Sequence, residues 1–185
     1  EGIDITGEIE RENIDKSNLF LTNLKEEVLD CNIYIVTVPT PIDQTKKPDL
    51  SALQSASRFV GSVISKGNMV IYESTVFPGC TRDECIPLIE KESGLKLNND
   101  FLCGYSPERI NPGDKVNTLK NITKIVSGSN KEALNLVDEI YTTIVSEAKT
   151  FPVSSMEIAE AAKVIENTQR DLNIAFVNEL SLIFD

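Results

Sequence analysis

Residues 32–38 read NIYIVTV, and this run ends abruptly at Pro39-Thr40-Pro41. β-Branched and aromatic residues of this kind favour a β-strand. The run does not alternate between apolar and polar residues, which is typical of a strand in a parallel sheet that is covered on both faces. We therefore predict a buried strand here, followed by a loop at its carboxyl end.

The remainder of the chain repeats this unit, with helical segments between short apolar runs. Besides residues 32–38, the predicted strands are 19–21, 69–72, 101–105, 124–127 and 148–151, and the predicted helices are 50–65, 81–90 and 131–143. Strands that alternate with helices predict an α/β fold with a parallel sheet between two layers of helices. Ligands bind such sheets at the carboxyl ends of the strands.

The last stretch, residues 154–185, contains no Gly or Pro and predicts one long helix. Ser154 and Glu157 have the spacing of a capping box at its start. The helix would be roughly 45 Å long, more than one small domain needs for its core, so part of it is expected to reach another element. Its apolar residues recur at helical spacing and predict a buried stripe. They are Ile158, Ala162, Ile165, Leu172, Phe176, Leu180 and Ile183.

Lys163 and Asn167 lie one turn apart on another face of this helix. An ammonium and a carboxamide at this spacing can converge on one ligand oxygen. The same spacing also fits two solvated side chains, so it leaves both interpretations open.

The charge balance restricts the partners of this chain. It has 29 acidic and 18 basic residues and no His, which gives a formal net charge of -11. Nucleic acids and anionic membranes need a basic surface, so neither is expected as a partner. Without His, any acid–base chemistry falls to Glu, Asp, Lys, Cys or ordered water.

The four cysteines, Cys31, Cys80, Cys85 and Cys103, form no C-x-x-C pair and do not have the spacing of a zinc site. We expect reduced, mostly buried thiols, no bound metal and a cytoplasmic location. No apolar run is long enough to span a bilayer and no signal-peptide pattern is present.

Three predicted strands end in loops rich in Pro, Ser, Thr or Glu, and the loops begin at Val38, Glu73 and Ser106. Each presents hydroxyl groups, backbone amides or charge where a ligand of a parallel sheet would lie. Each loop alone could be ordinary turn chemistry. The Gly-rich motif G-x-G-x-x-G of dinucleotide-binding folds does not occur in the sequence.

Four motifs together resemble the UDP-glucose/GDP-mannose dehydrogenase family. They are VPTPID at residues 38–43, ESTV at 73–76, SPERINPG at 106–113 and AEAAKVIEN at 159–167. The first and third are most similar to the branch that acts on UDP-N-acetylhexosamines. The resemblance implies a Rossmann-like, mostly parallel sheet, incomplete at its N-terminus, in a partial NAD-binding domain over residues 1–152. Residues 153–185 would form a long connecting helix through which two copies dimerise.

The resemblance also implies an activity. The family oxidises the C6 alcohol of a nucleotide sugar to a carboxylate, a four-electron reaction that reduces two NAD, and supplies uronic acids for surface polysaccharides. The cofactor-binding residues that it implies are Val38, Pro39, Thr40, Pro41, Ser74, Thr75 and Val76.

The catalytic residues that the resemblance implies are Thr75, Glu108, Lys163 and Asn167. Thr75 would hold a water molecule, Glu108 would assist hydrolysis of a covalent thioester, and Lys163, with Asn167 beside it, would stabilise negative charge on the C6 oxygen. The residues expected to contact the UDP-sugar are Glu108, Arg109, Ile110, Asn111, Lys163 and Asn167.

The chain departs from the family pattern in two places. Pro112 stands where UDP-glucose enzymes carry a second glutamate, which favours the N-acetylhexosamine branch. No cysteine lies in the Gly-rich motif of the family's nucleophile, so we expect a central fragment that is inactive alone. The alternatives are a UDP-glucose or GDP-mannose dehydrogenase, or a non-catalytic dimerisation or nucleotide-binding module of the same fold.

Overall fold

The middle of the sheet is the most deeply buried part of the molecule. The computed structural model describes Glu12, Ile14, residues 18–110 and residues 120–184. The sheet has the order β1-β2-β3-β4-β5. Its strands are Ile33–Val36 (β1), Met69–Tyr72 (β2), Leu102–Tyr105 (β3), Lys124–Gly128 (β4) and Thr150–Pro152 (β5). All neighbouring pairs are parallel except β3 and β4, so the prediction of a mostly parallel sheet is confirmed.

Helices cover the two faces of the sheet. They are Ser51–Val63 (α1), Ile86–Ser93 (α2), Lys131–Ile144 (α3) and Met156–Phe184 (α4). A π-helical turn, Thr81–Cys85, leads directly into α2, and a short 3₁₀ turn, Lys25–Val28, precedes β1. One core cluster joins β1, β2 and β3 to α1 and α2, and a second joins β2 and β4 to α3 on the opposite face. The layers are therefore helix, sheet and helix, as predicted.

Successive residues of each strand point to opposite faces, so the two clusters share the strands. In β2, Val70 and Tyr72 face the first cluster and Met69 and Ile71 face the second. Helix α3 lies so close to β4 that a Cβ at Gly128 would come within 2.2 Å of the Leu134 backbone nitrogen. Only glycine fits at this crossing.

The outer part of the sheet differs from the prediction. β1 is buried on one face only, with Ile33 and Ile35 44% and 45% exposed. The strand predicted at residues 19–21 is wrong, because residues 18–24 are irregular and exposed. Within the described residues no strand lies beside the outer edge of β1, so this segment has no ladder to join.

The long helix is confirmed, but its start and its buried face differ from the prediction. Its first turn is capped by Ser155, whose Oγ accepts a hydrogen bond from the Ile158 amide at 3.4 Å, and not by Ser154. The buried residues are Met156, Ala159 and Glu160. The predicted stripe is mostly exposed, because the buried residues of the helix lie in its first two turns and the later turns extend past the sheet.

Three of the four cysteines are buried and none forms a disulfide. The described residues include no group of His, Cys, Asp and Glu side chains that could hold a metal ion. No described helix combines the length and the apolar character that crossing a membrane requires.

Candidate functional site

A cleft of about 380 Å³ opens at the carboxyl ends of β1, β2 and β3. This is the edge at which ligands bind in open α/β sheets, and the volume lies in the usual range for small-molecule sites. The cleft is lined by Thr37, Val38, Pro39, Thr40, Glu73, Ser74, Thr75 and Glu108. All three loops singled out in the sequence therefore contribute to one site.

Hydrogen bonds tie the first two loops together. The Ser74 hydroxyl donates to the Val38 carbonyl at 2.7 Å, and the Thr40 hydroxyl donates to the Thr75 carbonyl at 2.6 Å. From the floor of the site the Tyr105 hydroxyl donates to the Ser74 carbonyl at 3.1 Å. Because side-chain donors fix these backbone groups, the shape of the cleft is set before any ligand arrives.

Two residues predicted in these loops do not line the cleft. Val76 is 6% exposed and belongs to the core that α1 and α2 cover. Pro41 is exposed and begins a tight loop in which the Asp49 amide donates to the Pro41 carbonyl at 2.8 Å. Both residues therefore contribute to the conformation of the loops, and neighbouring residues line the cleft.

Glu108 enters the cleft from the end of β3, as predicted. Its Oε1 accepts hydrogen bonds from the backbone amides of Arg109 at 2.6 Å and Ile110 at 2.8 Å. The side chain remains 40% exposed. The carboxylate is thus anchored through one oxygen while the other remains available to a neighbouring group.

That neighbour is Lys124, which the sequence analysis missed. Its side chain is 1% exposed, and its Nζ lies 3.5 Å from Oε2 of Glu108 and 3.4 Å from Oε2 of Glu73. Tyr141 lies beneath it, with its ring centroid 5.1 Å from Nζ and its hydroxyl donating to Oε1 of Glu73. Burial raises the pKa of Tyr141, and the negative charge of Glu73 raises it further, so the phenol stays protonated and acts as a donor.

Arg109 is oriented away from the cleft. Its Nε forms an ion pair with Oε2 of Glu166 on α4 at 2.9 Å, and its Nη1 donates to the Thr123 carbonyl at 3.0 Å. It fastens the loop after β3 to the long helix. Ile110 is half-buried beside it, and Asn111 and Pro112 lie outside the described residues.

Lys163 is half-buried on α4, and charged groups of this loop and of the helix act on it electrostatically. Burial lowers the pKa of Lys163, while the carboxylates of Glu166 and Glu108 oppose the shift and the nearby Arg170 and Arg109 add to it. Lys163 is thus electrostatically coupled to Glu108 although it does not line the cleft. Asn167 is exposed one turn further on and accepts a hydrogen bond from Arg170 at 3.3 Å, so the structure does not bring it to the cleft.

The cleft suits the nicotinamide–ribose half of NAD. Its described lining carries hydroxyl groups and two carboxylates but no Lys or Arg, so it offers hydrogen bonds to a ribose and negative charge to a cationic ring rather than cations to a pyrophosphate. The chemistry of the lining therefore fits this end of the cofactor, with the Thr37 and Thr75 hydroxyls as donors and the Thr40 oxygen, whose proton is held by the Thr75 carbonyl, as an acceptor.

Comparison with known proteins agrees with this geometry. Residues 5–145 match the profile of the NAD binding domain of the UDP-glucose/GDP-mannose dehydrogenase family. The chain is 53% identical to UDP-N-acetyl-D-glucosamine 6-dehydrogenase of Salmonella typhi over 185 residues, which cover 100% of this chain and 43% of that protein. It is 51% identical to Protein CapL of Staphylococcus aureus, with 98% of this chain and 43% of that protein covered.

A solved structure supports the same assignment. The UDP-D-ManNAc dehydrogenase of Pyrococcus horikoshii superposes with a TM-score of 0.80 at 36% identity, over 88% of this chain and 38% of that one. The chain spans less than half the length of the curated relatives it matches.

Proposed function

The chain belongs to the UDP-glucose/GDP-mannose dehydrogenase family and contains its NAD-binding domain, and on that premise we propose that the protein oxidises the C6 alcohol of a UDP-N-acetylhexosamine. The product is the uronic acid, formed in a four-electron oxidation for which NAD, when bound, is the hydride acceptor. The observation that carries the proposal is the convergence of the loops holding Thr40, Thr75 and Glu108 on one cleft at the carboxyl edge of the sheet.

The N-acetylhexosamine branch is supported by two independent observations. Relatives with 51% and 53% identity include a protein named UDP-N-acetyl-D-glucosamine 6-dehydrogenase, whereas the chain is 28% identical to a GDP-mannose dehydrogenase and 22% identical to a UDP-glucose dehydrogenase of known structure. The sequence also carries Pro112 where the UDP-glucose enzymes have a glutamate. We propose that the substrate is a UDP-sugar with an acetamido group.

In this proposal the loops after β1 and β2 bind NAD, and Glu108 and Lys163 act on the sugar. Thr75, exposed at the mouth of the cleft, holds a water molecule through its hydroxyl. Glu108 takes a proton from water when the acyl intermediate is hydrolysed, a role open to a carboxylate in which one oxygen accepts no backbone hydrogen bond. Lys163 supplies positive charge to the developing C6 oxyanion, and the Asn167 carboxamide donates a hydrogen bond to the same oxygen when substrate is bound.

The thiol that the resemblance requires is not supplied by a described cysteine of the domain. Cys80, Cys85 and Cys103 have 0% exposure in the core, Cys31 is exposed, and none of the four lines the cleft. A nucleophile must reach the reacting carbon. We therefore propose that residues 1–152 serve as the NAD-binding unit of a longer cytoplasmic protein that supplies the thiol, and that this chain alone does not turn over.

We further propose that residues 153–185 join this unit to the remainder of the protein and pair with a second copy. The later turns of α4 expose Leu172, Phe176 and Ile183 at 64%, 64% and 71%. An apolar stripe of this kind on a soluble enzyme is typical of a surface covered by a partner.

The test is NADH formation by the product of the intact gene. It is assayed with UDP-N-acetylglucosamine, UDP-N-acetylgalactosamine, UDP-N-acetylmannosamine, UDP-glucose and GDP-mannose in parallel. The proposal expects two NADH per UDP-N-acetylhexosamine and little signal from the other sugars. A preference for UDP-glucose or GDP-mannose would overturn the substrate assignment, and silence with every sugar would favour a non-catalytic module.

A further inference from the structure

Lys124 is the most deeply buried charged side chain beside the candidate site. Its side chain is 1% exposed, at the first position of a strand whose other residues are apolar or small. A buried ammonium is costly unless it is paired, so its position must be stabilised by the groups around it. Those groups are Glu73, Glu108 and the ring of Tyr141.

The direction of β4 places Lys124 in the site. Because β4 runs antiparallel to β3, with Tyr105 opposite Ser127, the amino end of β4 lies at the carboxyl edge of the parallel strands. The Ser106 hydroxyl, which donates to the Ile125 carbonyl at 2.7 Å, fixes this end of the strand beside the loop that carries Glu108. A parallel β4 would have put the same lysine at the opposite edge.

The ammonium is shared between carboxylates from two different loops. It lies 3.4 Å from Oε2 of Glu73 and 3.5 Å from Oε2 of Glu108, both longer than a tight charge-assisted hydrogen bond. Glu73 has a second donor in the Tyr141 hydroxyl. Oε2 of Glu108, unlike Oε1, accepts no backbone hydrogen bond from the described residues, and Lys124 is its ion-pair partner among them.

We propose that Lys124 is a positioning residue for Glu108, holding the oxygen that accepts the proton of the hydrolytic water at the floor of the cleft. This inference rests on the function proposed above. The two backbone amides fix Oε1, and the ammonium fixes the rotation of the carboxylate about that anchor. Without it, the carboxylate can swing toward solvent, since the side chain is 40% exposed.

Hydrolysis of the acyl intermediate is the step that depends on the position of Glu108. When water attacks the acyl carbon, its proton passes to Glu108 and the thiol leaves as a thiolate, whereas both oxidations precede this step. Loss of Lys124 should therefore slow hydrolysis and spare the oxidations. The expected signature is a burst of two NADH per active site followed by slow steady-state turnover.

The experiment uses the product of the intact gene with its best UDP-sugar. Lys124→Met keeps the length of the side chain and removes the charge, and we expect kcat to fall about 10- to 100-fold, the order of loss that a misplaced catalytic group causes. The kcat/KM for the UDP-sugar should remain within about threefold, and KM should fall together with kcat, because binding and both oxidations precede the slowed step. The burst should be visible in stopped-flow NADH traces, and the acyl adduct should be visible in the mass of the quenched protein.

Two matched variants separate positioning from stability. Lys124→Arg keeps the charge and should abolish the burst. Glu73→Gln removes the competing carboxylate but leaves the ammonium to Glu108, so it should show no burst, even where loss of this cleft carboxylate raises the KM for NAD or lowers the unfolding temperature. If Lys124 served only as a buried partner of Glu73, Glu73→Gln and Lys124→Met would show the same kinetic defect.

Each possible result either supports the role of Lys124 or overturns it. A folded Lys124→Met protein that lacks a burst, or that matches Glu73→Gln, overturns the inference while leaving the proposed function standing. A wild-type protein that is silent with every nucleotide sugar overturns the proposed function, and this inference with it. Should Lys124→Met fail to fold, Lys124→Gln, which keeps a polar group at the site, replaces it with the same expected burst.

Discussion

The carboxylate of Glu160, in the second turn of α4, accepts a hydrogen bond from the backbone amide of Gly79 at 2.6 Å. Its other oxygen accepts from the amide of Thr81 at 3.0 Å. Glu160 is fully buried, and it fastens the long helix to the segment that follows the Ser74-Thr75-Val76 loop. Lys163 lies one turn beyond it, so the same contact sets the direction in which Lys163 projects.

Replacing Glu160 by Gln tests this fastening. A carboxamide has one acceptor oxygen, so at least one of the two buried amides would lose its partner, at a cost of about 1–3 kcal/mol. We expect a loss of that size in the free energy of unfolding of the intact protein, measured by urea denaturation. The matched control is Glu157→Gln, which removes a half-exposed ion pair with Arg82 and should cost less than about 1 kcal/mol. Equal losses for the two variants would contradict the assignment.

The strands and helices could be predicted from the sequence because their residues are dictated locally. The run at residues 32–38 and the run at 69–72 are apolar and β-branched, and both form strands. Residues 19–21 are equally apolar but form none, because a strand requires a partner and the sequence does not show which edges are paired. The prediction that the apolar stripe on α4 is buried was wrong for the same reason. Periodicity shows that a helix face is apolar, but it does not show what covers that face.

In the candidate site, too, the residues in local motifs could be predicted, whereas those that depend on contacts between distant segments could not. Thr40, Thr75 and Glu108, which belong to three of the motifs, line one cleft. Lys124 and Glu160 were missed because their roles arise from contacts between distant segments. The role of Lys124 depends on the antiparallel direction of β4, which no local pattern encodes, although a lysine opening an apolar strand was the available signal.

The hydroxyl of Ser74 should control NAD affinity through the shape of the loops. In Ser74→Ala the Val38 carbonyl loses its 2.7 Å donor, and a part-buried hydrogen bond is worth about 1 kcal/mol. We expect the Kd for NAD, measured by calorimetry on the intact protein, to rise about fivefold. Ser62→Ala, which removes a hydroxyl that bonds to the Phe59 carbonyl on the exposed side of α1, should leave the Kd unchanged. An unchanged Kd in Ser74→Ala would show that the loop keeps its shape without this bond.

Lys163 should be required for turnover but not for cofactor binding. It is coupled to Glu108 and lies outside the cleft in which we place the nicotinamide. We expect Lys163→Ala to lower kcat at least about 100-fold, the scale of losing one charge-stabilising donor. The Kd for NAD should change by less than about twofold. Activity that survives the substitution would remove Lys163 from the catalytic residues.

The ionisation of Lys163 should make kcat fall at high pH. The ammonium is the active form, and burial lowers the pKa of Lys163 below the ordinary lysine value. Activity is therefore present below that pKa and is lost as the pH rises through it, so the basic limb of the kcat–pH profile should lie below about pH 10.4. In Lys163→Arg the guanidinium does not titrate in this range, and we expect the basic limb to disappear from whatever activity remains. A limb at the same pH in both proteins would belong to another group.

The exposed stripe on α4 should hold two copies together. Phe176 is 64% exposed, and burying a side chain of this size contributes about 1.5–3 kcal/mol. In a two-fold symmetric dimer each substitution occurs twice, so Phe176→Glu should weaken association by roughly 3–6 kcal/mol, or about two to four orders of magnitude in Kd. Sedimentation velocity on the intact protein should then show a monomer at micromolar concentration. The matched control is Phe20→Glu, which removes an equally exposed phenylalanine, 69% exposed, from the irregular segment before β1. If both variants keep the wild-type mass, this part of the helix is covered by something other than a second copy, because two buried glutamates facing one another across a two-fold axis could not be tolerated there.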